Sequence, residues 1–424
     1  MLSQLPNGVR VIAAPLKERR SVAIGLWVHI GGRDEEPRMS GVSHFLEHIV
    51  FKGTSKRSAD QIKEAVEGVG GSLNAFTSEE YTCFLAKAPA RHFEEVFDVL
   101  SDMVQGAALK EADIKKERAV ILEEIKMTQD QPSQLVEEHL AELLWPNHGL
   151  GRPLAGTPNT VGSLTREQMK NYRDSYYEPG LITVVAAGAI DAKTLWKVAG
   201  SRLGLAKKKN LKETQPFNPA QTQPSSKIFS KKTEQTHLAL GLHTFAKDHP
   251  DVYVLDILNV LLGGNMSSRL FNEVREKRGL AYEISSSVRK FHETGAFVIS
   301  AGVGSERTEE AIRVILDELK KMAKESTKED ELKRAKEFYL GQLDLSLEST
   351  MNQMLWAGEN AVCLGRLISQ EEVAAHVEKV TAEDLKRVSK KLFLTKPFSL
   401  SVVGPVNSNA ERSLMRLTDS MNRA

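Results

Sequence analysis

An α+β chain of two duplicated domains, each a mostly antiparallel sheet covered by helices, is the fold the sequence predicts, and three observations predict it. At 424 residues the chain exceeds what one ordinary hydrophobic core supports, so two domains or more are expected. Apolar runs of period two, such as VRVIAA from Val9 and AFVISAGV from Ala296, alternate with longer helical stretches such as Glu111 to Met127. In opposite halves of the chain, LTREQMKNYRDSYYEPGLITVVAAGAID (Leu164 to Asp191) and VTAEDLKRVSKKLFLTKPFSLSVVGPVN (Val380 to Asn407) share one helix-then-strand build.

Further pairs repeat in the same order. The strand-like SVAIGLWVHIGG from Ser21 answers to THLALGLHTFAKD from Thr236, and the helical RHFEEVFDVLSDMV from Arg91 answers to RTEEAIRVILDELKKM from Arg307. Between the halves, KKKNLKETQPFNPAQTQPSS is polar, holds three prolines and lacks an apolar period, which predicts a linker over 207–226. The expected domains are therefore 1–206 and 227–424, each of about 200 residues.

The segment SHFLEHIV from Ser43 distinguishes the halves. On a helix, Val42, Phe45, Leu46, Ile49 and Val50 form an apolar stripe, while His44, Glu47 and His48 gather opposite it. Its counterpart VYVLDILNVLL (Val252 to Leu262) carries no such set, so any metal belongs to the first half. Two histidines four residues apart permit chelation, but taken alone they are better read as a solvated helix face, and a third ligand must decide. A zinc hydrolase uses three protein ligands and keeps a fourth position open for water. Candidate carboxylates lie in KKERAVILEEIKM, where Glu117 and Glu124 are two helical turns apart and share a face.

Composition narrows the function classes. Lys plus Arg (57) balance Asp plus Glu (56), so no overall field draws in nucleic acid or an anionic membrane. The start MLSQLPNGVRVIAAP lacks the basic and apolar regions of a signal peptide, no apolar run approaches the roughly 20 residues of a membrane span, and the two cysteines, Cys83 and Cys363, stand outside any Cys-x-x-Cys spacing. A cytoplasmic chain with core thiols is expected.

With its His-x-x-Glu-His order, the sequence resembles the insulinase, or pitrilysin-like, zinc peptidases, the inverzincin family that includes the β-type subunits of mitochondrial processing peptidase and their bacterial homologues. In that family a glutamate 76 residues past the second histidine completes the metal site, and 124 − 48 = 76 assigns the role to Glu124. The resemblance implies Zn²⁺ on His44, His48 and Glu124, Glu47 as general base, and Glu117 orienting a ligand from outside the coordination sphere. NAFTSEEYTCF from Asn74 is similar to the family's substrate-receiving edge strand, with Asn74, Ala75, Phe76 and Thr77 binding an extended peptide by strand addition. Read without the resemblance, that stretch is a plain hairpin strand after Gly70 and Gly71.

FNEVREKRGLAYEI from Phe271 is similar to the family's arginine and tyrosine motif, which implies that Arg275 and Tyr282 donate hydrogen bonds to the substrate carbonyl and its developing oxyanion. The expected activity is zinc-dependent cleavage of unfolded peptides or presequence-like segments. Competing readings are a non-catalytic scaffold of the same family and a peptide-binding, chaperone-like module. Long members fuse two such units and take arginine and tyrosine from the opposite one, so a single unit implies a homodimer with shared sites. Two acidic positions that favour arginine in mitochondrial substrates fall here on Gln134 and Glu138, which implies no clear basic preference.

Overall fold

The computed structural model describes residues 2–204, 216–217 and 225–420. The chain divides into two compact units, one formed by Met1–Lys126, Arg152–Gln215 and Leu345–Ile368, the other by Met127–Gly151, Pro216–Asp344 and Ser369–Ala424.

The first unit holds strands β1 (Leu2–Gln4), β2 (Arg10–Pro15), β3 (Ser21–Val28), β4 (Ser72–Thr77), β5 (Thr82–Pro89) and β6 (Ile182–Gly188), in the order β1-β2-β6-β3-β5-β4. Only the β2 and β6 pair is parallel. The second unit holds β7 (Ser225–Ser230), β8 (Thr236–Thr244), β9 (Ala281–Lys290), β10 (Gly295–Val303) and β11 (Ser399–Gly404), in the order β7-β11-β8-β10-β9, with β7 and β11 its parallel pair. Without β1 the two orders coincide strand for strand. The duplicated, mostly antiparallel architecture expected from the sequence is what the structure has.

The units are not the contiguous domains expected, and two helices make the difference. Helix Pro132–Leu144, from the first half, buries Leu135, Val136, Leu140 and Leu144 against Ala239, Ala296, Val298 and Val403 of the second sheet. Helix Thr350–Leu364, from the second half, buries Met354 and Ala361 against Ile12, Ala23, Trp27 and Val185 of the first. The physical reason lies in the strands. β3 and β6 are buried along almost their whole lengths, so both sheet faces need an apolar cover, and one comes from the other half of the sequence. An apolar helix stripe announces that it needs a sheet without saying which.

The expected linker 207–226 lies outside the described residues except at four positions. Ser225 and Ser226 begin β7, and Phe217 donates its N–H to Glu293 Oε1 at 2.8 Å with its ring stacked on His243. Cys83 is buried and Cys363 half-buried, and neither is joined in a disulfide. Among the described residues no helix is long and apolar enough to cross a membrane.

Candidate metal centre

The helix Val42–Ile49 is fixed by its apolar stripe: Val42, Phe45 and Leu46 are fully buried and Ile49 nearly so. Its start is a problem of orphan donors, because the preceding Gly41, at φ 92°, has no side chain with which to cap. Glu35 supplies the acceptors from outside the helix. One carboxylate oxygen accepts the Gly41 N–H at 2.7 Å and the other the Ser43 N–H at 2.8 Å. Burial pushes the Glu35 carboxyl up to about 7, against the opposing pull of those hydrogen bonds. Anchored in this way, the helix turns its polar face toward helix Glu111–Asp130, which presents Glu117 and Glu124 from successive pairs of turns.

Glu124 Oε2 lies 3.6 Å from His48 Nε2 and 3.9 Å from His44 Nε2. Among the described residues, His44, His48 and Glu124 are the one group of His, Cys, Asp and Glu side chains whose ligand atoms converge, all within 4.8 Å. Burial, with a contribution from the His48 ring, pushes His44 down to about 4 and so keeps its imidazole neutral. Neutral imidazole nitrogens and a carboxylate oxygen are the donor set of a catalytic zinc centre. The residues fit the metal.

Around these three stand groups that position them. Glu117, buried, brings Oε2 to 3.3 Å from His48 Nδ1, and Lys52 Nζ donates to its other oxygen at 2.7 Å. Glu47 extends from the same helix face as the histidines, and its Oε2 accepts the Thr77 hydroxyl at 2.7 Å. Burial raises the Glu47 carboxyl above its ordinary value; the Thr77 hydrogen bond and His48 oppose the rise, and Glu124 adds to it.

Thr77 ends β4, the edge of its sheet, where among the described residues one row of backbone groups has no partner strand. On the same strand the Ala75 N–H donates to Asn74 Oδ1 at 2.9 Å, and the Phe76 ring meets Trp27 edge-on at 5.9 Å. Arg275 and Tyr282 belong to the second unit. Arg275 lies on the short helix Phe271–Glu276, its guanidinium 4.8 Å from the Phe271 ring centre and 5.4 Å from that of Tyr282. Tyr282, near the start of β9, is 75% exposed.

The structure thus gathers His44, Glu47, His48, Glu117, Glu124 and Thr77 in one unit, and pairs Arg275 with Tyr282 in the other. Sequence reasoning missed Glu35 and Lys52, and it did not connect Thr77 with Glu47. Lys52 had a signal, standing four residues beyond His48 where a continuing helix shows the same face. Glu35 had none, because it caps through a loop.

Two histidines and a glutamate on paired helices, with two further glutamates beside them, are the arrangement expected of a zinc peptidase. The comparisons take that class to a family. Residues 10–158 match the family model described as Insulinase (Peptidase family M16), and residues 163–339 match the Peptidase M16 inactive domain. An uncharacterized zinc protease of Streptomyces coelicolor is 36% identical over 425 residues, covering 98% of this chain and 91% of the relative. One of Bacillus subtilis is 37% identical over 402 residues, covering 94% and 97%. The chain belongs to peptidase family M16, and zinc is the metal of its site. A Helicobacter pylori protease has the same fold, with a TM-score of 0.91 at 22% identity over 96% of this chain and 99% of that one. So does a Pseudomonas fluorescens structure described as a peptidase M16 inactive domain, with a TM-score of 0.89 at 19% identity over 96% and 98%.

Proposed function

We propose that the protein is a zinc-dependent endopeptidase that cleaves extended, unfolded peptides, with Glu47 as general base. The observation that carries this reading is the hydrogen bond from Thr77 to Glu47, because it ties a carboxylate on the face of the histidines, outside the ligand set, to the end of a strand edge. Simple peptide capture has no use for a base fastened there. What zinc supplies when bound is Lewis acidity, toward the scissile carbonyl and toward water.

The rest is work for the chain's own side chains. Glu47 takes a proton from the attacking water and returns it to the leaving amine; its raised pKa brings it closer to the working pH, where a general base is most effective. Thr77 holds one oxygen of that carboxylate, which fixes the direction of the other. Glu117 orients His48. The free edge of β4 at Asn74, Ala75, Phe76 and Thr77 pairs with a peptide main chain, which demands an extended backbone and tolerates many side chains. Arg275 and Tyr282 donate to the carbonyl and its oxyanion, and two copies of the chain face each other so that this pair in one copy serves the zinc centre of the other.

Glu47→Gln tests the base. Zinc content should stay at one per chain while hydrolysis of a flexible peptide falls by about 10²-fold or more. Turnover close to wild type would remove Glu47 from the mechanism. A natively folded, disulfide-locked protein should resist cleavage. Mixing Glu47→Gln with Arg275→Ala chains under subunit exchange should restore roughly a quarter of wild-type activity, since half the dimers are mixed and each mixed dimer has one intact site. No recovery would mean that each site is built within one chain.

A further inference from the structure

We infer that Lys52 is a positioning residue for the zinc ligand His48, acting through Glu117. The inference rests on the zinc centre and is independent of the peptidase reading. Lys52 closes the turn Val50–Lys52 that continues directly from helix Val42–Ile49, which returns its side chain to the face that carries His48. Its ammonium donates to Glu117 Oε1 at 2.7 Å, and Glu117 Oε2 is the oxygen 3.3 Å from His48 Nδ1. The carboxylate is therefore held at both ends.

That double grip matters because the last torsion of a glutamate is broad and has no sharp minimum of its own. Held by the imidazole alone, the carboxylate could swing, and the ring would rock with it. With Lys52 on one oxygen, the other has a fixed position. A fixed acceptor on Nδ1 makes that nitrogen the donor and aims the Nε2 lone pair at the ligand cluster, where Glu124 lies 3.6 Å away.

A second account of the same lysine predicts the opposite sign. A bare ammonium near a dication repels it, so if Lys52 were only a nearby charge, deleting it would tighten zinc binding. Positioning requires that deletion weaken it. Lys56, one turn further on, is the internal control, since it sits 3.7 Å from Asp102 and is 72% exposed.

The test measures zinc affinity of the full chain by competition with a chromogenic chelator. Lys52→Met and Lys52→Gln should each weaken zinc by about 10-fold or more, within the range of about 10–100-fold for groups that orient ligands. Lys52→Arg should restore most of the loss, and Lys56→Met should change nothing. In a Glu117→Gln background, Lys52→Met should add no further loss, because the relay is already cut. The melting temperature of the metal-free chain should stay put in both variants, which separates positioning from a general loss of structure. Unchanged or tighter zinc in Lys52→Met, or an equal loss with and without Glu117, overturns the inference. A wild type that binds zinc and hydrolyses no peptide would sink the peptidase reading and leave these affinities fully interpretable.

Discussion

Helices Val42–Ile49 and Val252–Leu262 hold the same place in the two copies of the fold, each following the matching strand, β3 or β8, and they carry opposite chemistry. The first offers His44, Glu47 and His48 to whatever binds. The second is mostly buried and apolar, with one acid among its buried residues, Asp256. Asp256 takes the Lys290 ammonium from β9 at 2.6 Å and the Tyr339 hydroxyl from helix Glu329–Leu347 at 3.0 Å. β9 is the counterpart of β4, and helix Glu329–Leu347 is the counterpart of Glu111–Asp130. The same three elements therefore converge on a polar cluster in both units. In the first unit its cation comes from solution, and in the second the cation is a lysine of the chain itself. The scaffold places the cluster; the choice of side chains decides whether it is a metal centre. The family model described as inactive covers residues 163–339, which include Asp256 and exclude His44, His48 and Glu124.

The largest expected effect separates the two clusters outright. Glu124→Ala should lose both zinc and hydrolysis, while Asp256→Ala should keep one zinc per folded chain. Its cost falls on stability instead. Removing Asp256 leaves Lys290 partly buried beside an unpartnered tyrosine, and breaking a buried pair from one side costs about 3–5 kcal/mol. Denaturant midpoints and metal analysis on both variants check this, and loss of zinc from a folded Asp256→Ala chain would break the comparison.

A pH effect of up to about 3 kcal/mol comes next, at the helix starts. Glu35, which caps the first helix, has its folded pKa raised to about 7 from an ordinary 4.5. The sign follows from that direction: the native state binds the proton more tightly than the unfolded chain. Glu35 therefore contributes stability that is fully present below about 4.5 and lost as the pH rises through about 7. The unfolding free energy of wild type minus that of Glu35→Gln should fall between pH 5 and pH 8. At the second helix the opposite holds, because Arg387 grips both oxygens of Asp251 at 2.6 and 2.9 Å and holds that carboxyl below its ordinary value. Wild type minus Asp251→Asn should lose stability only as the pH falls into the acid range. Equal slopes in both pairs would show that the two carboxyls respond to pH alike.

What the sequence could reveal followed from periodicity and spacing. The duplicated order of strands and helices was legible because each strand carries its own period, and the convergence of His44, His48 and Glu124 was legible because the histidines lie one turn apart while a family spacing singled out Glu124. The exchange of helices Pro132–Leu144 and Thr350–Leu364 between sheets was not, since an apolar stripe fits either sheet. Nor were the contacts of Glu35 and Thr77, which reach the zinc helix from a loop and a strand edge, and such distances exist only after folding.

The smallest effect tests those exchanged helices at glycine. An added Cβ on Gly358 would lie 2.2 to 2.4 Å from three atoms of the Trp27 indole. Alanine is better than glycine in a helix by about 1 kcal/mol, so on propensity alone Gly358→Ala should stabilise. Trp27 cannot yield, however: it is 1% exposed and flanked by the Phe76 and Tyr81 rings at 5.9 and 5.0 Å. Overpacking of a rigid site costs about 1–3 kcal/mol, so after the propensity gain a net loss of up to about 2 kcal/mol is expected. Since Phe76 lies on β4, the displaced indole should also raise KM for peptide more than it lowers kcat. At the other sheet, a Cβ on Gly241 would meet the ends of Leu140 and Leu144 at 2.9 to 3.2 Å, and flexible leucine tips can give way. Gly241→Ala should therefore cost less than about 1 kcal/mol and leave KM alone. If Gly241→Ala proved the more damaging of the two, the tight fit of helix Thr350–Leu364 on Trp27 would not be what holds β4 in place.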